Sequence, residues 1–296
     1  MILVATLLGG LLACALLLLV QWRGTTARDA AGRGTRSLPS ASQLSVGFAT
    51  NFFDTLGIGS FATTTALFRL FRMVPDELIP GTIIVGDALP VVVQALIFIS
   101  VSRVDPTQTA LLIGACVSGG WIGAGVVASL PRHAIQAAMG CGLVAAVVFM
   151  LAAMFGWFPA GGTALVLTPR SFAIALAANA VFGALLTLGI GNYAPSLVLF
   201  SVLGMDPRAA FPIMMGSGAF VATIAGVRFV RAFRIHRRAA LGLVLGGIPG
   251  VVLAALIVRS LPLAALRWVV LAVVTYAAVT LLRAGLEGAA PRQSQR

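Results

Sequence analysis

The chain of 296 residues is 59% hydrophobic and 9% charged, where a soluble domain carries roughly 25% charged residues, so an ordinary water-solvated globule is excluded and lipid must be the main solvent. The formal net charge is +12 and every basic residue is arginine. Most arginines stand at the ends of apolar runs, which reads as positive-inside anchoring and attraction to anionic lipid rather than as a nucleic-acid surface.

In chain order, Ile2 to Val20 is the first apolar run. It has no charge before it and arginines after it (Arg23, Arg28, Arg33, Arg36), so it reads as a retained anchor helix with a cytoplasmic C-terminus, not as a signal peptide. The tetrapeptide Leu11 to Cys14 loosely resembles a lipoprotein cleavage site, but the apolar run continues past Cys14. Residues 21–40, rich in Gly, Ser, Thr and Arg, read as a flexible linker that completes a 1–40 N-terminal unit. A long apolar stretch then runs from Gln43 to Phe71, interrupted by Gly57-Ile58-Gly59. Three uninterrupted runs follow: Leu78 to Ser100, Thr107 to Leu130 and Ala134 to Phe155. A second interrupted stretch runs from Phe172 to Leu203, broken by Gly189-Ile190-Gly191, and is followed by Ala209 to Val230, Ala239 to Val258 and Leu263 to Leu282. Residues 287–296 read as a polar tail.

This order is a duplication. Thr55 to Gly59 matches Thr187 to Gly191 at an offset of 132, and in the same frame Leu67-Phe68 matches Leu199-Phe200 and Met73 matches Met205. Pro75 likewise matches Pro207, Pro80 matches Pro212, Gly86 matches Gly218 and Gly114 matches Gly246. Prolines and glycines in one frame carry weight because they fix backbone conformation, whereas apolar matches are cheap in such a chain. The expected fold is an all-α polytopic membrane protein: two homologous repeats, 41–156 and 170–286, each of about four segments with the first Gly-broken, plus the N-terminal helix, about nine membrane segments in all. Two topologies fit. If each broken stretch crosses the membrane, the repeats are parallel. If each is a re-entrant hairpin, the repeats are inverted, with Arg69, Arg72 and Arg132 inside and Arg103 and Arg170 outside. The arginine count favours the inside about equally in both.

The paired breaks are the first candidate site. Scattered glycines such as Gly119, Gly120, Gly123 and Gly125 read as helix-packing residues. A repeated break at matching places suits the broken helices of repeat transporters, whose half-helix N-termini offer free N–H groups to an anion. The expected substrate-binding residues are therefore Gly57, Gly59, Ser60 and Thr63 at the first break, Gly189, Gly191, Asn192 and Tyr193 at the second, and Ser217 in a third small polar patch. The hydroxyl and amide groups suit an oxyanion and equally suit helix-to-helix hydrogen bonds.

Asp54 and Asp87 are the acidic residues well inside apolar runs, where a charge costs about 3 kcal/mol on insertion scales. They are coupling candidates, with a structural hydrogen-bonding role as the alternative. Neither is duplicated, since Asp54 aligns with Leu186 and Asp87 with Ala219. Cys14, Cys116 and Cys141 and the histidines His133 and His236 lack metal-ligand or redox spacing, so no cofactor or metal is expected. Arg228, Arg231, Arg234 and Arg237 recur every third residue but end in a loop, which fits anchoring better than voltage sensing. The Gly-Ser-Gly at Gly216 lacks a base at membrane depth and does not fit a serine protease.

The segments from Ser45 to Pro75, from Phe182 to Phe220 and from Gly246 to Val258, in their two-module order, resemble the sulfite exporter TauE/SafE permeases over about Gln43 to Leu282. The resemblance implies a multi-pass permease of the bacterial inner membrane that moves small anions, often sulfur oxyanions or organosulfonates, usually outward. Family members often have a Gly-x-Gly-Gly-Gly break, and here the breaks continue as Ser60-Phe61 and Asn192-Tyr193. The expected function is a secondary transporter rather than an enzyme, with a small anion and membrane lipid as partners and a homo-oligomer compatible with the sequence. The alternatives are a non-transporting scaffold or receptor subunit and, third, an intramembrane enzyme.

Overall fold

The computed structural model describes residues 2–30, 38–56, 59–100, 104–157, 161–257 and 263–289. Among them every regular element is helical, apart from one isolated bridge between Ala164 and Met205. The helices are α1 (Ile2–Ala30), α2 (Ala41–Thr55), α3 (Ser60–Leu70), α4 (Ile79–Ser100), α5 (Pro106–Ser129), α6 (Arg132–Met154), α7 (Pro169–Leu186), α8 (Tyr193–Val202), α9 (Pro207–Arg231), α10 (Arg237–Ile257) and α11 (Leu263–Ala289). Among the described residues seven helical stretches are long and apolar enough to cross a membrane: Val4–Gly24, Asp76–Ile99, Pro106–Ser129, Arg132–Met154, Pro169–Leu186, Ala209–Arg231 and Arg237–Leu256. Large apolar side chains such as Leu16, Ile122 and Leu256 are exposed on their outer faces, as lipid contact requires.

Two expectations are revised. The stretch 21–40 is not all linker, because α1 continues to Ala30. Leu18 and Trp22, one turn apart on the same face, are both buried in the main core and carry the helix on. Where about nine membrane segments were expected, seven described stretches are long and apolar enough, and the Gly-broken stretches are divided at their breaks, as expected, into α2 and α3 and into α7 and α8. With 11 residues, α3 is about 17 Å long, roughly half the hydrocarbon core.

The packing fixes the direction of each element. Along α2, Gly47 approaches Gly242 and Leu243, and Phe48 then approaches Gly246 and Gly250, so α2 runs parallel to α10. On α4, the Thr82 hydroxyl accepts the His236 N–H at 2.8 Å, and further along Gly247 approaches Pro90. Thus α2, α4 and α10 all start on one side. That side also carries the ends of α1 and α9, where Arg231 Nε donates to Gln21 at 3.5 Å. The end of α3 returns to it: Arg69 pairs with Asp76, which directly precedes α4, and reaches the Thr280 carbonyl at 3.5 Å. So α2 and α3 form a hairpin with both open ends on this arginine-rich side, which holds Arg69, Arg72, Arg132 and Arg228 to Arg238.

The other broken stretch does the same from the opposite side. Gln108 at the start of α5 exchanges two 2.9 Å hydrogen bonds with Leu167, just before α7. Beyond the end of α8, Met205 accepts the Gly162 N–H at 3.1 Å, and Asp206 donates to the Ala164 carbonyl at 2.9 Å. Both open ends of the α7–α8 hairpin therefore lie near the loop that follows α6.

Small residues let the helices come this close. A Cβ on Gly119 would overlap the Ala180 carbonyl on α7, and one on Gly246 would overlap the Leu44 carbonyl on α2. Backbone approach through glycine replaces the hydrophobic drive that lipid cannot supply.

Candidate functional site

The two hairpins point toward each other and their tips meet. A Cβ on Gly191 would stand 3.7 Å from the Phe61 Cβ, and one on Gly189 would stand 3.3 Å from the Thr65 hydroxyl. The first turn of α3 therefore lies against the break between α7 and α8. From this contact a cavity of ≈ 450 Å³ extends along α6, α7 and α8, beginning at Gly59, Thr63, Gly191 and Tyr193. Its outer walls are apolar, among them Phe149 and Met150 of α6 and Phe182 of α7. The α6 residues that line it belong to that helix's C-terminal half, so the cavity leads from the tips toward the side opposite the arginines.

Gly59 caps α3 with φ +84°, and Gly189 has φ +79°, so among the described residues each break holds a glycine in left-handed backbone. Gly191 needs no such conformation. Gly57 lies outside the described residues. The Thr63 hydroxyl is turned back to the Gly59 and Ser60 carbonyls at 3.0 and 2.8 Å. Asn192 is buried and Tyr193 half-buried at the start of α8, and among the described residues the buried Asn192 Nδ2 and Tyr193 hydroxyl have no hydrogen-bond partner. Tyr193 also packs edge-on against Phe211 at 5.7 Å. Ser217 is buried on α9 facing Cys116 and does not line the cavity.

Asp54 sits at the last turn of α2 and accepts the Ser60 N–H at 2.6 Å. Its carboxyl thus occupies the N-terminus of α3, where free N–H groups and the positive end of the helix dipole meet. Asp87 lies on α4 and accepts Asn51 Nδ2 at 3.0 Å. Gln94 faces Asp54, and Ser60 faces both carboxyls. These residues form a buried polar knot behind the cavity, reached by three segments of the first half.

No known family model matches the chain, and neither a curated protein nor a solved structure does. Among the described residues no cluster of three or more His, Cys, Asp and Glu side chains could hold a metal.

Sequence reasoning named Asp54 and Asp87 but not Asn51 or Gln94, which complete the knot. Both are fully buried polar residues in apolar runs, the same signal that marked the aspartates. It also did not find the second cavity, ≈ 560 Å³, on the arginine-rich side. Arg69, Arg72 and Arg132 line it with Tyr276 and Thr280. Asp76 anchors the group by pairing with Arg69 and accepting Gln136 Nε2 at 2.6 Å. Arg72 itself has φ +49°, uncommon for a residue with a Cβ. Arg132 is 60 residues beyond Arg72, in another run, and only the return of α3 brings the three to one mouth.

Proposed function

We propose that this protein is a secondary transporter of small organic anions, working by alternating access between two inverted repeats. The observation that carries this reading is the meeting of two opposed re-entrant hairpins at their glycine breaks, with a cavity that starts at the meeting point. The repeat reading is supported by the packing: α2 lies on α10 as α7 lies on α5, α4 contacts α10 as α9 contacts α5, and α4–α9 and α6–α11 are the self-paired contacts expected across a pseudo-twofold. In this reading α1, α4, α5, α6, α9, α10 and α11 cross, and the two hairpins enter from opposite sides. The arginine-rich side is the cytoplasmic one, in a bacterial inner membrane.

The polar end and apolar walls of the cavity fit a molecule with one charged group and a short carbon chain. Organosulfonates are the first candidates because of the resemblance to sulfite exporter permeases, and the apolar walls favour them over bare sulfite. The N-terminus of α8, whose cap residue Asn192 makes no side-chain capping bond, supplies the N–H groups for the charged end.

Two measurements test this. Thermal unfolding of the purified protein with taurine, sulfoacetate, sulfite and thiosulfate should show a saturating rise in midpoint for at least one organosulfonate. Single cysteines at Ser40 and Arg72, in a background lacking Cys14, Cys116 and Cys141, should react with an impermeant maleimide from the same membrane face, and one at Arg170 from the other. Labelling of Ser40 and Arg72 from opposite faces would mean that the broken stretch crosses, and would refute the inverted arrangement.

A further inference from the structure

The polar knot holds more acceptor oxygens than the protein supplies donors for. Asn51, Ser60, Asp87 and Gln94 are each at most 1% exposed. Asn51 Nδ2 already donates to the Gly47 carbonyl and to Asp87 Oδ1, both at 3.0 Å, which sets the orientation of its amide. Among the described residues this leaves Asn51 Oδ1, Asp87 Oδ2, Gln94 Oε1 and Ser60 Oγ buried with no hydrogen-bond partner. They come from the end of α2, the start of α3 and the middle of α4, and they converge. Asn51 bonds Asp87, Ser60 faces both carboxyls, and Gln94 faces Asp54 while its Nε2 reaches the Thr55 hydroxyl at 3.5 Å. Among the described residues no arginine or histidine forms an ion pair with Asp54 or Asp87.

The charges differ between the two acids. Asp54 is offset by the N-terminus of α3 through the Ser60 N–H. Asp87 receives one neutral amide and nothing on its second oxygen. One carboxylate therefore remains without a counter-charge, surrounded by neutral oxygens, in a medium where a buried charge must be paired.

We propose that Asp87, Asn51, Gln94 and Ser60, with Asp54 at the edge, form a binding site for a monovalent hard cation, sodium. Oxygen-only ligands suit a hard cation, and a break between half-helices is where such ions bind in transporters of this general design. A single positive charge matches the one uncompensated carboxylate. A proton would satisfy one oxygen and leave the other acceptors unpaired, whereas a cation satisfies several together. The inference rests on the carrier reading, in which this ion is the coupling ion: its ligands include Ser60, whose N–H donates to Asp54 at the break that borders the cavity.

Binding of radioactive ²²Na⁺ to the purified protein, measured by scintillation proximity, tests the site without any substrate. Saturable binding that NaCl displaces and choline chloride does not is expected, with KCl a weaker competitor. D87N should weaken sodium binding at least about tenfold, the loss expected when the only charged ligand becomes neutral at a cost of 1.4 kcal/mol or more. Q94L removes a neutral oxygen while leaving both carboxyls in place and should weaken sodium binding as well. It carries the test if D87N does not fold, and a proton site would not respond to it in this way. No saturable ²²Na⁺ binding at either pH 6 or pH 8, or an unfolding midpoint that moves with pH but is indifferent to sodium, overturns the proposal. A parallel organosulfonate titration in choline chloride separates the two readings. An anion shift with no sodium binding removes the sodium site and keeps the carrier. Sodium binding with no anion shift keeps the site and removes the anion reading.

Discussion

In the first hairpin the α3 N-terminus is occupied by a carboxyl of the same chain, Asp54, through the Ser60 N–H at 2.6 Å. In the second, α8 starts after Asn192, whose side chain makes no capping bond. The residues behind the two breaks differ in the same sense. Asn51, Asp54 and Asp87 of the first half correspond to Gly183, Leu186 and Ala219 of the second. Gly183 lets α7 touch the Cys116 backbone of α5, where Asn51 instead carries a polar side chain to α4. One half therefore carries buried acids behind its break, while the other leaves a helix N-terminus without a side-chain cap beside the cavity. In the carrier proposed above, this difference would correspond to a cation site at the first hairpin and an anion site at the second.

The packing that the halves share should be the most sensitive to disturbance. Gly119→Val on α5 and Gly246→Val on α10 each force a side chain into a facing backbone, so each should cost about 3 kcal/mol or more, read as loss of monodisperse protein in size-exclusion chromatography. Equal losses would support equivalent interfaces. A mild effect at one of them would break the equivalence of α2–α10 and α5–α7.

The caps should respond unequally. Asp54→Ala removes a bond to the α3 N-terminus and should destabilise by about 1–2 kcal/mol in thermal unfolding, whereas Asn192→Ala removes no capping bond and should cost less than about 0.5 kcal/mol. If Asn192 faces the anion, its replacement should instead show up as weaker organosulfonate binding. Similar stability losses for both would mean that the second hairpin is capped in a way its side chain does not reveal.

The glycines should separate in a similar manner. Gly59→Ala puts a Cβ on a residue at φ +84° and should cost about 1 kcal/mol from backbone strain alone, since there is open space around it. Gly191→Ala has ordinary backbone and meets only Phe61 at 3.7 Å, so stability should hardly change. Any loss of anion affinity at Gly191→Ala would then report blocked access to N–H groups rather than misfolding.

The smallest effect belongs to the arginine-rich side. Half-buried His236 accepts the Ala239 N–H on Nδ1 at 3.2 Å at the start of α10, and burial holds its pKa below the usual histidine value. The unfolded chain therefore binds this proton more readily. The contribution is present above the unfolded value near 6.5 and is lost as pH falls through the lower folded value. His236→Asn keeps a capping oxygen but cannot titrate, so its unfolding midpoint should fall less than the wild-type midpoint between pH 7 and pH 5.

Much of this molecule can be read from its residues. Apolar length and the scarcity of charge determine that the helices sit in lipid, because no other medium accepts them and no other element satisfies the backbone there. The 132-residue spacing of prolines and glycines marks the two breaks, since those residues impose backbone conformation wherever they stand. Asp54 and Asp87 stand out because charge in an apolar run is costly. Whether the broken stretches run on or fold back on themselves is written only in the tertiary structure, where both open ends of each lie on one side. A 29-residue stretch from Gln43 to Phe71 is long enough for either, and arginine counts balance in both. The answer lies in contacts between distant segments, such as Arg69 with Asp76 and Gln108 with Leu167, which no local pattern encodes. The same holds for the knot. Asn51 and Gln94 become ion-ligand candidates only when folding places α2 against α4 and leaves their oxygens buried without donors.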